Sequence, residues 1–191
     1  MAVDDPLALF ASLYEEASRT HPEADAMVLS TVDPDGRPSA RYVLLKEADA
    51  RGFVFYTNLG SRKAHALAAH PHAALTFYWP PQTQVRIEGL VERVTDAEAD
   101  AYFASRLRES QIGAWASRQS EPLATRDELD ARIREVEVRF AGTLVSRPPF
   151  WSGYRVVPAS IEFWTRDTAR LHARVAFQRT GSGWTQTLLF P

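Results

Sequence analysis

Apolar residues at Leu7, Leu9, Phe10, Leu13, Tyr14 and Ala17 recur at helical spacing behind Asp5-Pro6. An aspartate cap and a proline in the first turn suit that start, so the pattern predicts a helix over 5–20. The stretch AMVLSTVDPDGRPSARYVLLK then reads as two β-rich runs joined by a turn at Asp33-Pro34-Asp35-Gly36. GFVFYTN is a further strand, and Ser61 caps a short helix, SRKAHALAAH, that Pro71 stops. AALTFYW and QVRIEGLVERV alternate as an antiparallel pair, which places barrel strands over 26–93. Thr95 followed by Glu98 forms a capping box for TDAEADAYFASRL. Residues 111–120, QIGAWASRQS, read as a polar loop: either an ordinary connection or donors for the carbonyls of a ring and a phosphate. Leu129, Ile133, Val136 and Phe140 mark one face of a helix over 125–140, closing a helical segment spanning 95–140. SRPPFWSGYRVVP breaks that pattern. IEFW, RLHARVAFQR and GWTQTLLF follow as closing strands within 151–191, the last two joined by a turn at Gly181-Ser182-Gly183.

Seven or so strands with interspersed helices predict a mainly β protein with peripheral helices (α+β), built as an antiparallel barrel or sandwich. No repeat or linker divides the chain, so residues 1–191 are expected to form a single domain. Composition narrows the functions available. The charge sums to −2 with no block of one sign, which argues against a basic nucleic-acid-binding face. Cys 0 removes disulfides, thiolate metal sites and cysteine nucleophiles. No apolar run approaches the ~20 residues of a membrane span, and MAVDDPLALF is acidic, so a cytoplasmic location is expected. GxxxxGK[ST], GxGxxG and HExxH are absent. His65, His70 and His72 lack neighbouring carboxylates at ligand spacing, so no metal site is expected.

The candidate chemistry lies in cations that interrupt apolar strands. Arg41 and Lys46 flank YVLL, Arg62 and Lys63 open a helix, and Arg106 and Arg108 follow Tyr102-Phe103. Each alone reads as a solvated strand or helix end. Two features point further. Cations at a helix N-terminus oppose its dipole, so Arg62-Lys63 after Ser61 make better sense with an anion there. Arg170, His172 and Arg174 alternate, so on one strand they would form a cationic row that an anionic ligand relieves. Trp164 leads into that row.

RYVLLK (41–46), FVFYTNLGSRKA (53–64), QVRIEG (84–89), YFASR (102–106), SQIGAWASRQS (110–120), WSGYR (151–155), IEFW (161–164) and RLHAR (170–174) together resemble the pyridoxine/pyridoxamine 5′-phosphate oxidases. The similarity runs in order along nearly the whole chain. It implies an FMN-binding split β-barrel of six to eight antiparallel strands, working as a homodimer with FMN at the subunit interface. By motif position, Arg41, Val43, Leu44, Lys46, Tyr56 and Thr57 would lie against the cofactor. Arg62 and Lys63 would hold its phosphate, and Gln84, Gln119, Ser120, Trp164 and Arg174 would complete that site. Lys46, Tyr102, Arg106 and Ser110 would bind the phosphate of a B6 vitamer. Arg170 and His172 would be catalytic, set against the pyridine ring. The implied reaction oxidises pyridoxamine or pyridoxine 5′-phosphate to pyridoxal 5′-phosphate and reduces O2 to H2O2. Against the family pattern, Thr83 stands for arginine, Leu107 for proline, Ser152 for glycine, Ala173 for aspartate and Leu188 for a basic residue. The chain begins almost at its DPL motif, so it is expected to lack the basic N-terminal segment that helps close over substrate in the family. The alternatives are a related flavin oxidase acting on another ring, as in phenazine pathways, and a non-catalytic flavin- or haem-binding protein.

Overall fold

The computed structural model describes residues 5–181 and 183–191. Nine strands and five helices follow one another along these residues. Helix α1 (Pro6–Thr20) starts where expected, with the Asp5 carboxylate accepting the Leu7 N–H at 2.9 Å. Strands β1 (Ala26–Val32) and β2 (Pro38–Leu44) form a hairpin. The Asp33 carboxylate accepts the Asp35 and Arg37 N–H groups there, and Gly36 takes φ 82°. The three-residue β3 (Glu47–Asp49) is the strand that the hydrophobic pattern did not show. Next come β4 (Gly52–Asn58), α2 (Arg62–Ala69), β5 (His72–Trp79), β6 (Thr83–Arg93) and α3 (Asp96–Ser105). The chain closes with α4 (Arg108–Ala116), α5 (Arg126–Arg139), β7 (Trp151–Thr165), β8 (Ala173–Thr180) and β9 (Gly183–Leu189). The turn expected at Gly181-Ser182-Gly183 has its middle residue outside the described residues, as do the first four residues of the acidic N-terminus.

All pairings are antiparallel, in the order β2-β1-β5-β6-β7-β4-β3, with β8 and β9 added beside β7. Strand β7 is what splits the barrel. Its first six residues, Trp151–Val156, pair with β4, and its last six, Ser160–Thr165, pair with β8 on the edge that β4 leaves. Pro158, which has no N–H to give, sits at the changeover. Opposite it the register of β6 shifts between Glu88 and Gly89. A Cβ on Gly89 would lie 1.9 Å from the Val157 carbonyl oxygen, so only glycine allows that approach. Alternate residues of the central strands fill the core: Met27, Leu29, Phe53, Phe55, Leu75, Phe77, Val85 and Ile87 are all fully buried. Phe10 of α1 closes one end, edge-on to Phe53 with ring centroids 4.8 Å apart. A smaller cluster of Phe103, Ile112, Phe140, Val145 and Trp151 lies under α3, α4 and α5.

Three expectations need correction. Residues 108–116 form helix α4 rather than part of a polar loop. Only Ile112 and Ala116, one turn apart, give it an apolar stripe, and the side chain of buried Gln111 donates to the Phe103 carbonyl at 2.8 Å. SRPPFWSGYRVVP contains the start of β7, because a strand buried on both faces there lacks alternation. Strand β8 begins at Ala173, not Arg170. Helix α5 forms as expected, but its apolar stripe is only partly covered, with Ile133 and Val136 against the smaller cluster.

The capping box of α3 is present: Thr95 Oγ1 accepts the Glu98 N–H at 3.2 Å, and Glu98 Oε2 accepts the Thr95 N–H at 2.8 Å. The Thr95 backbone and hydroxyl, and then Arg51, hold the Glu98 carboxyl down to about 2. A depressed carboxyl contributes stability in full above its unfolded value of about 4.3 and loses it as pH falls towards the folded value. Urea midpoints should therefore drop between pH 5 and pH 3 more steeply in the native chain than in Glu98→Gln. Equal slopes would show that Glu98 carries no such linkage.

Candidate active site

A cavity of about 840 Å³ opens between β2, β4, the start of α2, the end of α3 and α4, within the range of about 300–1,000 Å³ usual for ligand sites. Of the residues singled out by sequence, Arg41, Val43, Leu44, Lys46, Tyr56, Thr57, Lys63, Tyr102, Arg106, Ser110 and Gln119 line it. They come from four separate segments, and the barrel brings them together.

The charges are arranged for an anion. Among the described residues, Arg41, Lys63 and Arg106 have no carboxylate partner. The Arg41 guanidinium donates to the Leu29 carbonyl at 2.8 Å, to Thr31 Oγ1 at 2.9 Å and to Ser39 Oγ at 2.7 Å. Lys63 Nζ donates to Thr57 Oγ1 at 3.0 Å and to Gln119 Oε1 at 3.3 Å. Arg106 lies over the Trp151 ring, 4.9 Å from its centroid, and its buried Nη1 has no hydrogen-bond partner. Burial pulls all three below their ordinary ranges, and the Arg62 charge adds to the effect on Arg41, as Arg41 does for Lys63. Loss of solvent around an uncompensated cation costs free energy that an incoming anion returns. Lys46 differs, since its Nζ pairs with Asp25 at 2.9 Å.

Helix α2 supplies a second anion-directed feature. Ser61 caps it, accepting the Ala64 N–H at 3.4 Å, and no acid occupies its first turn. The Arg62 N–H donates to Ser120 Oγ at 3.2 Å, and Ser120 holds φ 77°, a left-handed conformation that brings its hydroxyl to the helix start. The Arg62 side chain is exposed and reaches Asp33 at 3.7 Å. An aromatic stack forms the opposite wall. Tyr56 and Tyr102 lie 4.0 Å apart at 16°, and Tyr56 and Trp151 lie 5.3 Å apart at 8°. Burial, and then the charges of Glu47 and Glu98, push the Tyr56 hydroxyl up to about 12, so it stays protonated at neutral pH.

Gln84, Trp164, Arg170, His172 and Arg174 do not line this cavity. They form a second group on β6, β7, β8 and the loop before β8. Gln84 pairs with Trp164, Trp164 pairs with Arg174, and the His172 ring lies 4.5 Å from Trp164. The expected cationic row is not built as a strand face. Asp167 makes a tight turn, its carboxylate accepting the Ala169 N–H at 2.8 Å and its carbonyl the Arg170 N–H at 3.2 Å. Arg170 ends that turn at φ 62°. Nor is Arg174 uncompensated: Glu162 accepts from its Nε at 2.8 Å and from its Nη2 at 3.2 Å, and also pairs with Arg86. The Asp167 N–H donates to His172 Nδ1 at 3.1 Å, which leaves Nε2 to carry the proton. Sequence reasoning missed Trp151, Asn58 and Ser117 in the cavity wall and Glu162 between its two arginines. Trp151 was hidden by the misread start of β7, and Glu162 shows only once three strands are in register.

The protein is an antiparallel split barrel with a cavity lined by partly buried cations, an arrangement suited to an anionic ligand. The family model described as Pyridoxamine 5′-phosphate oxidase matches residues 13–140, and that of the Pyridoxine 5′-phosphate oxidase C-terminal dimerisation region matches residues 151–191. The chain belongs to the pyridoxamine 5′-phosphate oxidase family. A pyridoxine/pyridoxamine 5′-phosphate oxidase of Myxococcus xanthus is 60% identical over 193 residues, covering 100% of this chain and 94% of the relative. One of Caulobacter vibrioides is 56% identical, covering 100% and 87%. Among solved structures, PhzG of Burkholderia lata in complex with tetrahydrophenazine-1-carboxylic acid is 31% identical with a TM-score of 0.92, covering 99% of this chain and 94% of that one. A pyridoxamine 5′-phosphate oxidase-related, FMN-binding protein of Nostoc punctiforme has the same fold, with a TM-score of 0.79 at 16% identity over 100% of both chains. No helix among the described residues is long and apolar enough to cross a membrane.

Proposed function

We propose that this chain is a cytoplasmic, FMN-dependent oxidase that converts pyridoxamine and/or pyridoxine 5′-phosphate to pyridoxal 5′-phosphate, working as a homodimer. The observation that carries the reading is the set Arg41, Lys63 and Arg106, three cations around one cavity with no carboxylate among the described residues to neutralise them. The donor set fits FMN: a capped helix start with Arg62, Lys63 and Ser120 suits a terminal phosphate, and Arg41, Val43, Leu44, Tyr56, Thr57 and Gln119 suit the rest of the cofactor. When bound, FMN would supply the redox chemistry, taking two electrons and a proton from the substrate C4′ carbon for transfer to O2 as H2O2; from pyridoxamine 5′-phosphate, hydrolysis of the resulting imine releases ammonia.

The chain's own residues bind, orient and exclude water. Lys46, Tyr102, Arg106 and Ser110 take the substrate phosphate; the unsatisfied Arg106 Nη1 is the donor with most to gain from it. Arg170 and His172 contact the pyridine ring, with His172 donating through Nε2. These two, with Gln84, Trp164 and Arg174, reach the cavity of a second copy, a reading supported by the match of residues 151–191 to a dimerisation region.

The PhzG likeness supports a second reading, oxidation of a phenazine precursor. The 60% identity to a B6 vitamer oxidase and the phosphate-directed Arg106 favour the first. Peroxide release by purified FMN-loaded protein should follow addition of pyridoxamine or pyridoxine 5′-phosphate. Turnover of a tricyclic acid with neither vitamer phosphate oxidised would transfer the assignment to the second reading.

A further inference from the structure

Arg155 is 2% exposed, and nothing in the oxidase chemistry uses it. Its Nη1 donates to Asp49 at 2.9 Å and its Nη2 to Glu98 Oε1 at 3.0 Å. Arg51 reaches the same two acids, at 2.9 Å and 2.8 Å, but its side chain is 57% exposed. Glu98 thus does two things at once: Oε2 caps α3 through Thr95, and Oε1 ties α3 to the sheet.

The spacing around that tie is informative. Glu98, Tyr102 and Arg106 stand four residues apart, so they share one stripe of α3 and its C-terminal cap. Beneath them, Arg155, Gly153 and Trp151 stand two residues apart on one face of β7. Four helical residues rise about 6 Å and two strand residues about 6.6 Å, so the two rows run in step. Glu98 meets Arg155 in an ion pair. Tyr102 meets Tyr56, whose ring lies over Gly153: a Cβ there would stand 2.7 Å from it. Arg106 meets Trp151. The two latter contacts are flat ring and cation–π packings that permit sliding along the helix axis. Of these three contacts only the first is directional, and its Arg155 side chain is fully buried.

We propose that Arg155 is a positioning residue, the pin that sets the register of α3 on β7 and thereby places Tyr102 and Arg106 for the substrate phosphate. The proposal deepens the oxidase reading and rests on it for the identity of that phosphate. Arg147 holds the N-terminal half of α3 through Asp96 at 2.8 Å and Asp100 at 2.6 Å and donates to the Trp151 carbonyl at 2.8 Å, so loss of the pin leaves that half attached while the stripe carrying Tyr102 and Arg106 shifts.

The test compares Arg155→Met, Arg155→Lys and Arg51→Met as FMN-loaded proteins. Arg155→Met should raise KM for pyridoxamine 5′-phosphate about 10-fold, as expected for a misplacement below 1 Å, with kcat and FMN retention unchanged. Arg155→Lys, which keeps a charge and folds where the methionine variant fails to, should recover most of that loss. Arg51→Met, at an exposed pair, should change KM by no more than about 2-fold. Calorimetric binding of pyridoxal 5′-phosphate reads the same wall without turnover, so the pin is tested even where vitamer oxidation fails. Weaker binding in Arg155→Met with recovery in Arg155→Lys upholds it. An unchanged KM and affinity, or equal losses in kcat and FMN retention, overturns it.

Discussion

Arg170→Leu is expected to cut kcat/KM about 100-fold while the FMN spectrum and retention stay intact. The loss follows from orientation: a guanidinium that holds the pyridine ring contributes through placement, and a misplacement of about 1 Å is worth roughly that factor. The backbone supports the assignment. Arg170 sits at φ 62°, a left-handed conformation that costs a non-glycine residue about 1–2 kcal/mol. The Asp167 turn imposes that conformation, and strain of this kind is retained where a side chain must be aimed. Arg170→Gly relieves the backbone and should be as inactive as the leucine variant, which separates the guanidinium from the turn. Near-normal turnover in Arg170→Leu would remove this residue from the substrate site and favour a flavin binder without this chemistry.

Arg106→Ala should raise KM for the vitamer phosphate about 10- to 150-fold with FMN still bound, since a charge-assisted contact carries about 1.5–3 kcal/mol. Steady-state kinetics and flavin absorbance on one preparation measure both quantities. Lost flavin with an unchanged KM would mean that Arg106 serves the cofactor's phosphate instead. The two variants together test the shared site. Arg106→Ala damages the cavity and Arg170→Leu the C-terminal group. If each site takes one part from each copy, a hybrid dimer keeps one intact site. Unfolding and refolding an equal mixture should then restore about a quarter of native activity. Assayed at substrate levels well below the KM of Arg106→Ala, a mixture no more active than its components would place both parts of the site in one chain.

The cationic part of the cavity was legible early because its signals are local. Ser61 before Arg62-Lys63 states a capped helix whose dipole and charges ask for an anion; the structure has that cap and, among the described residues, leaves Lys63 without a carboxylate partner, whereas Arg62 reaches Asp33 at 3.7 Å. The Thr95–Glu98 capping box is equally local and equally present. The FMN and vitamer assignments came from motif order, not from any single residue's chemistry.

What the amino-acid sequence determined by itself is the set of elements whose signal lies within a few residues: α1, the β1–β2 hairpin, α2, the β5–β6 pair and the start of α3. Only the tertiary structure decided the rest. Helix α4 has one buried turn and owes its place to Gln111 reaching the end of α3. The first part of β7 is buried on both faces, so no alternation announces where it starts, and its partners there, β4 and β6, lie far away in sequence. The row Arg170, His172 and Arg174 alternates like a strand, but the Asp167 carboxylate turns the backbone before the strand begins. Arg155 fell in SRPPFWSGYRVVP, a stretch that reads only as the break after α5 and before the closing strands. Its meaning depends on a helix laid across it about 57 residues earlier in the chain, in step with it by the match of a helical turn to two strand residues.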